Sequence, residues 1–139
     1  MADSKKLSFV EEQDVETQTF GWGRLAWLSE PRVTAAERFS AGVVTLEPGK
    51  GHDRHSHPGV EEILYVLDGK ARQMVEIDAR QDEREVGPGV LIHIPPDVFH
   101  STINVGKTPV RILAIYAPPG PEADLRRAPG VRIEPPRRR

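Results

Sequence analysis

Residues 51–69, GHDRHSHPGVEEILYVLDG, hold three of the chain's five histidines within six positions, followed by two adjacent glutamates. Imidazole nitrogens and carboxylate oxygens ligate transition metals, and the same groups transfer protons in catalysis. Residues two apart on an extended strand point to one side, about 7 Å apart, so His55 and His57 share a face if this segment is extended. Glu62 follows five residues after His57, and His100 opens a later predicted strand. The pattern indicates a metal site built from two separate parts of the chain.

The donor types narrow the choice of metal. Three imidazoles and one carboxylate suit one divalent transition metal from the group Fe, Mn, Ni, Co, Cu and Zn. Calcium and magnesium prefer shells made of oxygen, so a nitrogen-rich set disfavours them. The sequence contains no cysteine, which removes thiolate metal sites, disulfides and thiol nucleophiles.

The sequence around these residues predicts short strands that would position them. The 12 glycines and 13 prolines are dispersed between short apolar runs, as is typical of many strands joined by tight turns. We predict about eight strands spaced about 8 to 12 residues apart, which indicates an all-β sandwich or barrel. The charged segment 78–85 is interpreted as a loop, and residues 121–127 as one short helix. The predicted strands cover residues 21–28, 38–49, 60–67, 70–77, 90–94, 100–105 and 110–117.

Composition divides the chain into three parts and limits its partners. We expect an N-terminal arm with a possible strand over 1–37, a barrel over 38–117, and a Pro/Arg-rich tail over 118–139. The tail's six arginines are partly offset by three acids, and the net charge is −2, so neither a nucleic-acid partner nor a binding arm is expected. No apolar stretch approaches a membrane span and the N-terminus lacks a secretory pattern, so we expect a cytoplasmic protein without membrane contact.

Two motifs resemble those of the cupins. The first cupin motif is a glycine, five residues, His-x-His, three or four residues, a glutamate, six residues and a glycine; it is matched by Gly49, His55, His57, Glu62 and Gly69. Glu61 fits a shorter gap but leaves seven residues before the last glycine, so Glu62 is preferred. The second motif is matched by Gly89, Pro95, His100 and Asn104. Asp97 departs from it, since cupins usually have glycine there; aspartate tolerates unusual turn dihedrals, so the fold is not threatened.

The resemblance covers residues 40–117 and implies both a fold and a ligand set. The implied fold is all-β, a double-stranded β-helix or jelly-roll barrel. The implied metal ligands are His55, His57, Glu62 and His100. Cupins that resemble this chain commonly pair through N-terminal strands, which implies a homodimer.

Two further residues are candidates for catalysis. If Asp68-Gly69 forms a two-residue hairpin turn, Glu62 pairs with Val75 and Gln73 points into the same lining as Glu62. There Gln73 can hydrogen-bond a ligand or metal-bound water, or orient Glu62; a register shift would instead turn it to solvent. His93 alternates with two isoleucines, so it faces the outer surface or a subunit contact if they fill the core. In the alternative, His93 points inward near the metal. His52 is expected at the pocket rim or in solvent.

The site allows several functions. A redox metal such as Fe(II) has positions for an oxygenatable substrate and O₂, as in the cupin dioxygenases. Zinc, manganese or nickel acts as a Lewis acid and supports a lyase, isomerase, decarboxylase or hydrolase. A third reading is a metal-assisted sugar or small-acid binding protein. The apolar lining favours O₂ chemistry, so the leading hypothesis is a metal-dependent oxidoreductase of dioxygenase type that acts on a small organic substrate. That lining is predicted to include Leu64, Val66, Val75 and Ile92.

Overall fold

Two antiparallel sheets make up the protein in a computed structural model that describes residues 6–138. Short turns connect most of the strands. In residues 6–138, one brief 3₁₀ segment, Glu12–Asp14, precedes the first strand, and one α-helix, α1, covers Pro121–Arg126. The strands are β1 Thr17–Phe20, β2 Gly23–Ser29, β3 Ser40–Leu46, β4 Gly51–His55, β5 Glu61–Asp68, β6 Ala71–Ile77, β7 Arg80–Val86, β8 Leu91–Ile94, β9 His100–Asn104, β10 Val110–Ala117 and β11 Arg132–Glu134.

The sheets face each other across one apolar core, as in a jelly roll. The larger has the order β11-β1-β2-β3-β10-β5-β8, and the smaller has the order β4-β9-β6-β7. Strand β10 shows why these residues form a sandwich, because its buried side chains alternate with more exposed ones. The buried ones are Val110, Ile112, Ala114 and Tyr116. Burying one such large aliphatic side chain contributes about 2 kcal/mol. The predicted all-β jelly-roll fold is confirmed.

The predicted β5–β6 hairpin is wrong. Strand β5 lies between β10 and β8 in the larger sheet, whereas β6 lies between β9 and β7 in the smaller one. The Asp68-Gly69 turn therefore carries the chain from one sheet to the other. Gly69 has φ +86°, and a Cβ there would lie 2.7 Å from the carbonyl oxygen of Pro109, so the crossing needs glycine. The predicted inward faces still hold, because strand alternation depends on each strand separately and both sheets face one core.

The segment predicted as a charged loop forms strand β7. It pairs with β6 along its whole length, from Ala71 opposite Val86 to Ile77 opposite Arg80. The connecting residues Asp78 and Ala79 both have positive φ, 53° and 63°, as a tight two-residue hairpin turn requires. Because β7 is an edge strand, its charged side chains reach solvent and also discourage pairing with other chains.

Both segments that flank the predicted barrel contribute strands to the larger sheet. Strands β1 and β2 lie within it, and β11 pairs with β1. Helix α1 is anchored by Arg126, whose guanidinium lies 2.7 Å from Glu16 and 2.8 Å from Glu30. Gln18 also donates a hydrogen bond to the carbonyl of Glu122 at 3.2 Å. Residues 6–138 contain no helix whose length and apolar character would let it cross a bilayer.

Candidate metal centre

The four predicted ligands come from both sheets. His55 ends β4 and pairs across the strands with His100, the first residue of β9. Glu62 lies on β5 of the opposite sheet, and His57 lies in the short connection between β4 and β5. The alternation of β5 turns Glu62 inward, where it is 3% exposed.

The structure brings these side chains together. The candidate ligand nitrogens of His55, His57 and His100 all lie within 4.8 Å of one another. Glu62 Oε1 lies 3.2 Å from His100 Nε2 and 3.7 Å from His57 Nε2. Three ring nitrogens and a carboxylate oxygen therefore converge on one small volume.

Backbone carbonyls orient two of the rings. His55 Nδ1 lies 2.6 Å from the carbonyl oxygen of Asp53, and His100 Nδ1 lies 2.9 Å from that of Val98. Since only a protonated Nδ1 can donate to a carbonyl, each contact leaves the Nε2 lone pair free for a metal.

The buried polar atoms at the centre fit a metal ion. Glu62 Oε1 and His100 Nε2 are both buried, and neither forms an aligned hydrogen bond with any residue in 6–138. Leaving buried polar atoms without partners costs roughly 1–3 kcal/mol each, so such a pair points to a ligand. Beside them is a cavity of about 20 Å³, roughly the room that one water or ion occupies. The donor chemistry is that of a divalent transition metal.

Burial keeps most of the rings neutral. It lowers the pKa of His55 and of His57, so both rings carry a free lone pair near neutral pH. Burial also opposes the charged form of His100, but the adjacent Glu62 carboxylate outweighs it and raises the His100 pKa. Burial and Glu62 raise the pKa of Tyr116 well above its usual value, so its hydroxyl stays protonated.

His52 lies in the wall of the cavity and not in solvent. Its ring meets Trp22 edge to face, with 4.2 Å between ring centroids, and lies 5.4 Å from the ring of His55. Burial and the neighbouring histidines lower its pKa to about 4. Thr102 also lines the cavity, although the sequence analysis did not single it out. Its position two residues after His100 on a strand was the available signal, because such residues share a face.

The two candidate catalytic residues have different positions. Gln73 is buried on the inner face of β6, where its Oε1 accepts a hydrogen bond from Thr102 Oγ1 at 2.6 Å. It thus reaches the cavity wall through Thr102. His93 is exposed on the outer face of β8, with Nε2 2.5 Å from Glu61 Oε2, while its neighbour Ile94 is buried. The structure contradicts an inward-facing His93 and agrees with the outer-face alternative.

Asp97, the departure from the second motif, ties the loop that carries His57. It has φ 68°, in the left-handed region that glycine usually occupies. Its Oδ1 accepts a hydrogen bond from the Gly59 amide at 2.8 Å, and its own amide donates to the carbonyl of His57 at 3.4 Å. The turn after β8 thereby supports the β4–β5 connection.

The fold and the site together give the class of protein: a jelly-roll barrel with an internal cluster of histidines and a carboxylate suited to a metal ion. Comparison with known proteins gives the family. The family described as "Cupin domain" matches residues 42–116. Protein SchB of Streptomyces halstedii is 32% identical over 121 residues, which span 87% of this chain and 85% of SchB. Polyketide synthase CurC of Streptomyces cyaneus is 27% identical over 123 residues, spanning 88% of this chain and 77% of CurC.

Solved structures agree. A structure of Bacillus subtilis oxalate decarboxylase, from work on its Mn(II) centres, superposes with a TM-score of 0.64 at 26% identity. The match covers 70% of this chain but only 26% of the decarboxylase chain. The chain belongs to the cupin superfamily.

Proposed function

We propose that this protein is a metal-dependent cupin enzyme that carries out oxidoreductase chemistry of dioxygenase type on a small organic substrate. The observation that carries the proposal is the convergence of three histidines and one buried carboxylate in a cavity with otherwise largely apolar walls. His55, His57, Glu62 and His100 would hold one divalent ion. A redox-active ion bound there would supply electron transfer to O₂.

The chain's own residues prepare the cavity for such chemistry. Neutral imidazoles and one carboxylate leave a bound divalent ion with a net charge of about +1, which favours anionic or polarisable ligands. The buried Tyr116 hydroxyl lies at the cavity wall beside the Glu62 carboxylate and stays protonated. Apolar side chains exclude water from the same space; they are Val44, Leu46, Leu64 and Ile112.

Lewis-acid chemistry is the second candidate. It is favoured by the similarity to a protein named polyketide synthase over 88% of this chain, and by the resemblance to oxalate decarboxylase. A divalent ion that polarises a carbonyl supports a lyase, isomerase or decarboxylase without any change in oxidation state.

Metal loading separates these candidates. Metal-free protein is loaded in turn with Fe(II), Mn(II) or Zn(II), and oxygen uptake and product formation are followed with aromatic and diketone substrates. Uptake confined to redox metals supports the dioxygenase. Turnover that persists with Zn(II) and consumes no oxygen supports Lewis-acid chemistry. Tight binding of sugars or carboxylates without turnover under any metal contradicts both and leaves a binding protein.

The proposed ligands are tested by metal content. His57→Ala or His100→Ala should remove most of the bound metal, because each removes a nitrogen donor from the cluster. Glu62→Gln should weaken binding less, since the amide keeps one oxygen donor. His93→Ala is the matched control, because His93 lies on the outer face. Elemental analysis after dialysis gives the readout, and a full equivalent of metal in either ligand variant contradicts the assignment.

A homodimer in the cytoplasm is part of the same proposal. The exposed side chains of Tyr65 and Leu91 pair across β5 and β8 on the outer face of the larger sheet, beside exposed Leu67. A second copy covering this apolar surface would account for its exposure. Light scattering coupled to size exclusion gives the mass in solution, and fractionation of cells that express the chain gives the compartment.

A further inference from the structure

The edge strands β7 and β8 border an open cleft that the metal chemistry above does not use. Its volume is about 800 Å³, which lies within the range of sites for small organic molecules. The inner faces of β6 and β7 form one wall, and β8 with the residue before it forms the other.

Apolar side chains line much of the cleft. Val75 and Ile77 lie along β6, and Val90 and Ile92 lie on the opposite side. Ile77 is 49% exposed and Val90 is 38% exposed, so the cleft presents large aliphatic groups to solvent. Such a strip favours the apolar body of a ligand.

Arginine side chains lie on the inner face of β7. The β6–β7 register places Arg84 opposite Gln73 and Arg80 opposite Ile77, so these residues share the inner face. Arg84 forms a two-point ion pair with Asp82, with both distances 3.0 Å. Arg80 also lines the cleft and forms no ion pair with any carboxylate in residues 6–138, including those of the neighbouring turn. Asp78, Asp82 and Glu83 line the cleft as well, and the charge of Arg80 acts on Asp82. Because no carboxylate in residues 6–138 lies within ion-pairing distance of it, the Arg80 guanidinium can still pair directly with a bound anion.

The cleft and the metal cavity share a wall. Val75 is the cross-strand neighbour of His100, and Gln73 is that of Thr102, which lines the cavity. From the other side, Ile92 pairs with Leu64, another residue of the cavity wall. A molecule in the cleft would lie one layer of side chains from the metal ligands.

We infer that the cleft between β7 and β8 binds a small organic acid with an apolar body, at a site separate from the metal cavity. The body packs against Val75, Ile77 and Ile92, and the carboxylate pairs with Arg80. This binding requires no metal and is independent of the proposed function.

Two probes of one shape test the charge requirement on the metal-free full chain. 2-Naphthoate and 2-naphthamide share an aromatic body and differ in charge, and equilibrium dialysis measures the affinity of each. We expect naphthoate to bind at least about fivefold more tightly than naphthamide. Arg80→Gln should remove that preference and leave naphthamide binding unchanged. Ile77→Ser should weaken both probes alike, because it removes apolar surface.

Arg72→Gln is the matched control. Arg72 lies on the outer face of the same sheet, where it pairs with Glu83, so naphthoate binding should not change. Equal affinities for the two probes, equal losses in the Arg72 and Arg80 variants, or no binding of either probe would overturn the inference. If the Arg80 preference holds while no loaded metal gives turnover, the proposed function fails and the acid-binding cleft stands.

Discussion

The Asp97 turn makes a prediction in which two effects oppose each other. A left-handed φ costs a residue with a side chain roughly 1 kcal/mol, and the hydrogen bond from the Gly59 amide returns about 1 kcal/mol. Asp97→Gly removes both effects, so the unfolding free energy of the metal-free protein should change by less than about 0.5 kcal/mol. Asp97→Ala keeps the backbone cost and loses the bond, so it should lose about 1 kcal/mol. Asp97→Asn keeps an oxygen acceptor and should resemble the wild type.

The Asp97 variants should rank differently in metal affinity than in stability. The bond to Gly59 holds the loop that carries His57, so both the glycine and the alanine variants should bind metal about two- to tenfold more weakly. Urea denaturation of the metal-free protein gives the stabilities, and competition with a chelator gives the affinities. Asp78→Gly is the matched control. Asp78 has φ 53°, and its side chain forms no hydrogen bond within residues 6–138, so this change should stabilise by about 0.5–1 kcal/mol and leave metal affinity unchanged.

Two outcomes would refute this reasoning. If Asp97→Gly destabilises as much as Asp97→Ala, the left-handed backbone contributes nothing to the balance. If both variants keep the wild-type metal affinity, the tether does not position His57.

Three other perturbations test the fold and the cavity. Burial lowers the His52 pKa to about 4, so the unfolding free energy should fall as the pH drops from about 6.5 toward 4. In urea titrations at pH 7 and pH 5, His52→Gln should reduce this fall in unfolding free energy by roughly 2 kcal/mol. Gly51→Ala places a Cβ 2.0 Å from the Thr102 carbonyl oxygen and should lower the unfolding free energy by at least about 2 kcal/mol. Gly87→Ala is its control in the same assay: the nearest atom to the new Cβ lies at 3.8 Å, so the unfolding free energy should change by less than about 0.5 kcal/mol. Arg126→Met strips two glutamates of their partner and should lower the unfolding free energy by about 2 kcal/mol; an equal loss from the exposed Arg127→Ala would contradict this.

The ligand cluster was predictable because each ligand lies in a short segment whose residue types and spacing can be recognised without knowing the fold. The spacing of His55 and His57, and the return of His100 at the start of a later strand, follow from strand alternation and the two motifs. The inward direction of Gln73 was also predictable, although the pairing used to derive it was wrong. Alternation fixes a side chain's face from its own strand, whereas the partner strand depends on how the whole barrel closes.

The remaining differences come from tertiary context. The β7 segment looks like a loop because six of its seven residues are exposed at an edge, and only pairing with β6 reveals the strand. The cavity position of His52 depends on Trp22, thirty residues earlier, whose ring closes over it. The anchoring of α1 by Arg126 depends on acids near the N-terminus. Residue types and their local spacing do not show which residues from distant parts of the chain come into contact.

The division of the ligands between the sheets has a consequence for how the protein should be handled. His55 and His100 belong to one sheet and Glu62 to the other, so an ion bound at the centre would link the two sheets of the sandwich directly. A ligand that binds only the folded state at one hundred times its dissociation constant adds about 2.7 kcal/mol of stability. Melting temperature therefore serves as a gauge of metal content, and a preparation stripped by chelators should melt several degrees lower than a replenished one.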